Sequence, residues 1–282
     1  MAASNIMEET VPALAAATSG LSLTDATTFD GIPTSILVDT IASLSKMVDS
    51  LEELPNDPPS LYIDLEGVNL SRYGTISILQ LHVLPSKETY LLDVHTLKDR
   101  CFSETNRNGH SFRDILESDA IPKVFFDVRN DSDALYHHFQ IKLSGIQDLQ
   151  LMELATRTFS RKVVNGLSRC IERDALLSYE ERLAWKMVKD KGVRLFAPEH
   201  GGSYQVFNER PLSSDMVNYC VQDVKFLPLL WTRYKSKLTS TWWQKVQDAS
   251  KERVTLSQSS AFIGKGKHMA LSPPGWTSIH GW

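Results

Sequence analysis

The stretch LYIDLEG (61–67) decides how this chain reads. Leu61, Tyr62, Ile63 and Leu65 have the apolar, β-prone character of a buried strand. Asp64 and Glu66 interrupt that run one residue apart. Side chains alternate across a strand, so the two carboxylates share one face while Leu61, Ile63 and Leu65 share the other. An ionised carboxylate buried without a partner costs several kcal/mol, and two close together raise each other's pKa. A divalent cation removes both penalties, and Mg²⁺ and Mn²⁺ prefer hard oxygen ligands. A strand end emerging into water at Gly67 is the plain alternative, and Asp-x-Glu alone does not decide between them.

Two more strand-like runs follow, TISILQLHVL (75–84) and ETYLLDV (88–94). Short turns around SRYG and PSKE separate the three runs, which predicts an antiparallel meander. Upstream, ILV (36–38) reads as a short strand. Asp39 or Thr40 then caps a helix that shows Ile41, Leu44, Val48 and Leu51 on one face. Downstream, IPKVFF (121–126) is β-rich, and Asn130 or Asp131 is expected to cap the helix after it. KLSGIQDLQ (142–150) reads as a short strand leading into a helix. Helices are expected over 176–190 and 213–238, with a kink or junction at Pro228. Strands first, then strand–helix alternation, predict an α/β fold: a mixed sheet with helices on its faces.

Composition narrows the class. Hydrophobic residues make up 42% of the 282, charged residues 23%, and the formal net charge is −4. That is ordinary for a globular protein and weakly opposes nucleic-acid binding as judged from charge alone. Basic runs do occur, RTFSRK (157–162), KMVKDKGVR (186–194) and KSK (235–237). Each reads first as a solvated helix face, though a local stripe can steer a polyanion. Three scattered cysteines suit a reducing cytoplasmic or nuclear compartment. Residues 1–30 carry no Lys or Arg, which opposes a secretory or transit segment, and are expected to be poorly ordered. No apolar run is long enough for a membrane span. Residues 31–240 are expected to form the main domain, and 241–282 a helix and tail packed on it or trailing from it.

Other candidate residues divide between bland and chemical roles. Tyr219 and Asp223 lie four apart within a helix and share a face; an exposed Asp beside a half-buried Tyr is the plain alternative. Asp131 could cap a helix, and Asp127 is its rival for any chemical role. Asp148 reads as a turn or cap residue. His200, Gly201 and Gly202 could approach a phosphate but fit a loop equally. The eight histidines form no zinc-binding pattern.

Order and context separate these alternatives. Asp-x-Glu in an early strand, an Asp opening a helix after the fourth strand, and Tyr-x₃-Asp on a late helix resemble the DEDD 3′–5′ exonucleases. Tyr219 points to the DEDDy branch, which includes RNase D; the histidine branch would carry His where this chain has Asn218. DLEGVNLSRYGTISILQL, KVFFDVRNDSDALYHHFQI and DLQ are similar to the exonuclease-domain-like proteins related to Egalitarian. The likeness runs from about Val38 to Leu238. Phe126 stands where these proteins often have His, and Leu149 where they often have Thr; neither replaces an acid. Some relatives lack the acids and act as RNA-binding adaptors, whereas this chain keeps all four and the tyrosine.

The resemblance implies an RNase H-like fold with a mixed five-stranded central sheet. It makes Asp131, not Asp127, the second-motif acid. It implies catalytic and metal-ligating roles for Asp64, Glu66, Asp131 and Asp223, with Tyr219 orienting the attacking water. Two divalent cations, Mg²⁺ or Mn²⁺, are expected as cofactors. Asp64, Glu66 and Asp223 would hold the first, and Asp64 would bridge to a second with Asp131 assisting. The expected activity is two-metal-ion hydrolysis of single-stranded nucleic acid, RNA before DNA, from the 3′ end, releasing nucleoside 5′-monophosphates. The resemblance does not single out substrate-contacting residues.

Overall fold

The sheet is built outward from Leu61–Glu66. In a computed structural model, which describes residues 35–277, this strand is β2 of six. The others are β1 (Ser35–Val38), β3 (Ile78–Val83), β4 (Glu88–Leu92), β5 (Lys123–Phe125) and β6 (Ile146–Asp148), in the order β1-β4-β3-β2-β5-β6. β2, β3 and β4 form the expected antiparallel meander. β5 joins β2 in parallel, β6 joins β5 in parallel, and β1 joins β4 in parallel. The sheet is therefore mixed but has one strand more than the five expected. The additional strand is the short ILV run, whose Ile36, Leu37 and Val38 align with Tyr90, Leu91 and Leu92. All described residues belong to a unit spanning Pro33–Trp282. The expectation of disorder over 1–30 lies outside the described residues.

Helices flank the sheet: α1 (Ile41–Ser50), α2 (Val94–Leu97), α3 (Arg100–Ser103), α4 (Phe112–Glu117), α5 (Arg129–Phe139), α6 (Leu149–Thr156), α7 (Leu167–Asp174), α8 (Tyr179–Phe196), α9 (Ser214–Lys225), α10 (Leu227–Lys235) and α11 (Ser240–Gln258). Thr40 caps α1 in a reciprocal box with Ser43. The helix expected over 213–238 divides into α9 and α10 at Phe226, with Pro228 in the first turn of α10, where a missing N–H costs nothing. Among the described residues no helix is long and apolar enough to cross a membrane.

Alternation in β2 separates two environments. Leu61, Ile63 and Leu65 join a core with Leu44, Met47 and Val48 of α1 and Ala134 and Leu135 of α5. Each such side chain stabilises the fold by roughly 1.5–3 kcal/mol. On the opposite face Tyr62 packs with residues of α6, α7 and α10. Beyond it, Ile78, which lies opposite Glu66 on β3, packs with Met216, Tyr219, Cys220 and Val221 of α9. A one-residue slip of β2 would drive Asp64 and Glu66 into the aliphatic core, so the register is strongly specified.

Residues 239–277 stay with this body. α11 lies against α5, α6 and β6. Arg72 donates to the carbonyls of Ser257 and Ser259 at 2.9 and 2.8 Å, and Arg129 donates to that of Met269 at 2.8 Å. A β-bridge joins Val163 to Leu271.

Candidate active site

Asp64 and Glu66 leave the C-terminal end of β2 on its helix-covered face. Gly67 ends the strand in a turn so tight that a Cβ there would lie 2.0 Å from the Thr75 carbonyl oxygen. α9 crosses this end of the sheet and brings Asp223 over it. Asp64, Glu66 and Asp223 each present a carboxylate oxygen, and the three oxygens lie within 4.8 Å of one another. The first two residues are half-buried and Asp223 is buried. A strand end running into water and an exposed helical Asp are both excluded by this convergence.

Crowding is visible in the proton affinities. Burial, then the charge of Asp223, pushes the Asp64 carboxyl up to about 7. Burial, then Asp64 and Asp223, holds Glu66 well above the usual carboxylate range. Asp131, in the first turn of α5, is also raised, by burial first and then by the charges of Asp64, Asp127 and Glu66. It thus faces the cluster's field while standing outside the three-oxygen group. Asp223, Asp64 and Glu66 have the hard-oxygen chemistry and spacing that fit a divalent cation.

Asp131 does not cap its helix, contrary to expectation. α5 begins two residues earlier, after Val128, with no side-chain cap. Just ahead of the helix, Asp148, buried at the start of α6, accepts from the amides of Asp127 and Val128 at 3.1 and 3.2 Å. Asp148 also caps α6 through the Gln150 amide at 3.0 Å, the turn or cap role its sequence suggested. Asp127 has positive φ and is held by Arg129 at 2.5 and 2.6 Å and by Arg253 at 3.4 Å, outside the cluster. Asp131 is left free to face Asp64.

Tyr219 is positioned by aromatic packing. Its ring meets Phe196 edge-on at 5.1 Å between centroids and Phe207 at 6.5 Å. α8 approaches so closely that a Cβ on Gly192 would lie 2.3 Å from the tyrosine's Cδ2. Burial, then Asp223 and Glu66, raises the Tyr219 hydroxyl well above its ordinary pKa. His200 and Gly201 lie in an exposed turn, with Gly201 in the left-handed region, and His200 is not among the clustered acids.

One site residue escaped the sequence reading. Lys189, within the basic run 186–194, turns inward: its Nζ donates to Asp223 Oδ1 and Oδ2 at 2.6 and 3.0 Å and to the Tyr219 hydroxyl at 3.1 Å. Burial pulls its pKa down, but Asp223, Glu66 and Asp64 together more than offset this and the net shift is upward. The available signal was Gly192, a helix-interior glycine three residues on, which marks close approach of another element.

A mixed sheet with acids at the end of its central strand and a Tyr-x₃-Asp helix across it defines an RNase H-like exonuclease fold. Residues 36–239 match the 3′–5′ exonuclease family, and the chain belongs to it. Its fold is similar to that of RNase D from Trypanosoma brucei in complex with GMP, with a TM-score of 0.68 at 21% identity, covering 87% of this chain and 71% of that one. The same enzyme in complex with RNA U12 gives 0.67 at 21% identity, over 86% and 78%. A curated relative, the piRNA biogenesis protein EXD1 of Bombyx mori, is 27% identical over 134 residues, 46% of this chain. The match spans 38% of that relative's length.

Proposed function

We propose that this protein is a metal-dependent 3′–5′ exonuclease that hydrolyses the terminal phosphodiester of single-stranded nucleic acid, RNA in preference to DNA, and releases nucleoside 5′-monophosphates. The observation that carries this reading is the convergence of Asp223 with Asp64 and Glu66, three acids from distant parts of the chain with their oxygens within 4.8 Å. Asp64, Glu66 and Asp223 would hold one Mg²⁺ or Mn²⁺, and Asp64 with Asp131 would hold a second. Bound in this way, divalent ions neutralise the phosphate, acidify water and stabilise the departing 3′ oxygen. The Tyr219 hydroxyl, kept protonated by its surroundings, orients the attacking water by a hydrogen bond and does not remove its proton. The preference for RNA rests on the relatives: the trypanosomal enzyme was solved with RNA U12, and the curated relative is named for piRNA biogenesis. A reducing intracellular setting, cytoplasmic or nuclear, accords with three buried free cysteines.

The test is incubation with 5′-labelled single-stranded RNA and DNA in Mn²⁺ or Mg²⁺, with a chelator control. The expected result is a ladder shortening from the 3′ end, faster on RNA, and mononucleotide product. Asp64→Asn and Asp223→Asn should reduce cleavage below detection while leaving the melting curve cooperative. Metal-dependent cleavage retained by both variants would overturn the assignment. RNA binding with no cleavage by the wild type would make the protein an adaptor on the same fold.

A further inference from the structure

Building on that reading, we infer that Lys189 is a positioning residue of the reaction centre: it sets the Tyr219 hydroxyl and competes with the divalent ion for Asp223. Its ammonium touches both oxygens of Asp223 and the tyrosine oxygen at once. An ammonium has donors and no acceptor. The Tyr219 oxygen therefore accepts from Lys189, and its own hydrogen is free to be donated elsewhere. Glu66, one of the acids that would hold the ion, is within hydrogen-bonding reach of that hydrogen. Lys189 thus fixes the tyrosine as a donor.

The same contact opposes metal binding. Both oxygens of Asp223 are engaged by Nζ, so an ion that takes Asp223 must displace at least one of these bonds. Lys189 also cancels one of the negative charges that make the acids attractive to a cation. In return it holds Asp223 and Tyr219 together in the metal-free protein. The contact is built into the fold: the side chain is 17% exposed, and Gly192, one turn further along α8, permits the approach that brings Nζ into reach.

Mn²⁺ titration calorimetry on the full chain tests this, comparing wild type, Lys189→Met, Lys189→Arg and Asp223→Asn. Lys189→Met should bind Mn²⁺ roughly tenfold more tightly, the size expected for removing a unit charge a few ångströms from a divalent ion. Lys189→Arg, which keeps the charge, should stay near the wild type and guards against a folding artefact. In a chelator, Lys189→Met should melt below wild type, and its melting point should rise more on adding Mn²⁺. On the kinetic side, Lys189→Met should lower kcat in wild type but add little in a Tyr219→Phe background. Equal Mn²⁺ affinity of wild type and Lys189→Met, with loss of binding in Asp223→Asn, overturns the role of Lys189 and leaves the metal site standing. Absence of Mn²⁺ binding in all four proteins overturns both. Tighter binding by Lys189→Met in a protein without nuclease activity supports the competition of Lys189 with the ion and overturns its positioning role together with the nuclease reading.

Discussion

Arg253 offers a stringent test of how the chain beyond the family match supports the candidate site. It lies on α11, is 7% exposed, and donates from Nη1 to Asp148 Oδ2 at 2.7 Å. Asp148 is fully buried and accepts from the amides of Asp127, Val128 and Gln150. Arg253→Met removes the counter-charge and leaves the carboxylate with backbone donors only. Breaking a buried pair by deleting one partner costs about 3–5 kcal/mol. The three remaining amide bonds favour the lower end, about 3 kcal/mol. For a chain of this size that corresponds to a fall in Tm of about 6–12 °C. Urea unfolding and calorimetry would measure it. Arg253→Lys keeps a positive charge within reach and should cost less than half as much. Amide exchange at Val128 should accelerate in the Met variant, because its acceptor has loosened, and cleavage should slow below the melting range as Asp131 loses its support. A loss under about 1 kcal/mol, or equal losses for Met and Lys, would show that packing, not charge pairing, anchors α11 here.

Gly192→Ala should raise local helix propensity by about 1 kcal/mol, yet its methyl would sit 2.3 Å from Tyr219 Cδ2. The ring must move, so kcat should fall at least about tenfold, one unit of 1.4 kcal/mol in barrier; unchanged single-turnover rates would refute the packing argument. His82, buried with Nδ1 at 3.0 Å from the Thr89 hydroxyl, is held down to about 4 by burial first and by Lys225. Its folded pKa lies below its unfolded value of 6.5, so the unfolded chain binds the proton first. Stability should fall as pH drops from about 6.5 to 4, by about 3 kcal/mol from this group. Urea midpoints for wild type and His82→Gln across that window should diverge accordingly; parallel curves would remove His82 as the cause. Mn²⁺ should raise the wild-type melting temperature, since binding to the native state alone stabilises it. Asp64→Asn and Asp223→Asn should lose that rise, and a rise retained in both would place the ion elsewhere.

The parts legible in the sequence rest on local periodicity. Alternation in 61–66 put Asp64 and Glu66 on one face, and the turn signals between 67 and 88 set up the meander, because strand side-chain direction and turn chemistry are short-range properties. The four-residue spacing of Tyr219 and Asp223 settled their shared helix face for the same reason. The short strand at Ser35–Val38 was legible too, as ILV; the count of five came from the resemblance, and only pairing with β4 makes this run a sixth strand of the same sheet.

Asp131 and Lys189 show where local reading ends. Asp131 has the sequence of a helix cap, but α5 begins two residues ahead of it, and the turn into the helix is fixed by Asp148, 17 positions on, whose carboxylate accepts from the amides of Asp127 and Val128. Lys189 sits in a run of charges that reads as a solvated face, and it turns inward only because Gly192 lets α8 close on Tyr219. The order of acids along the chain was enough to suggest the family that the match over residues 36–239 shows, since motif chemistry is written in residue type and spacing. Which carboxylates meet, which are already neutralised by arginine, and which cation stands against Asp223 were decided by tertiary contacts. Electrostatic energy depends on distance through space, and a linear sequence does not contain that distance.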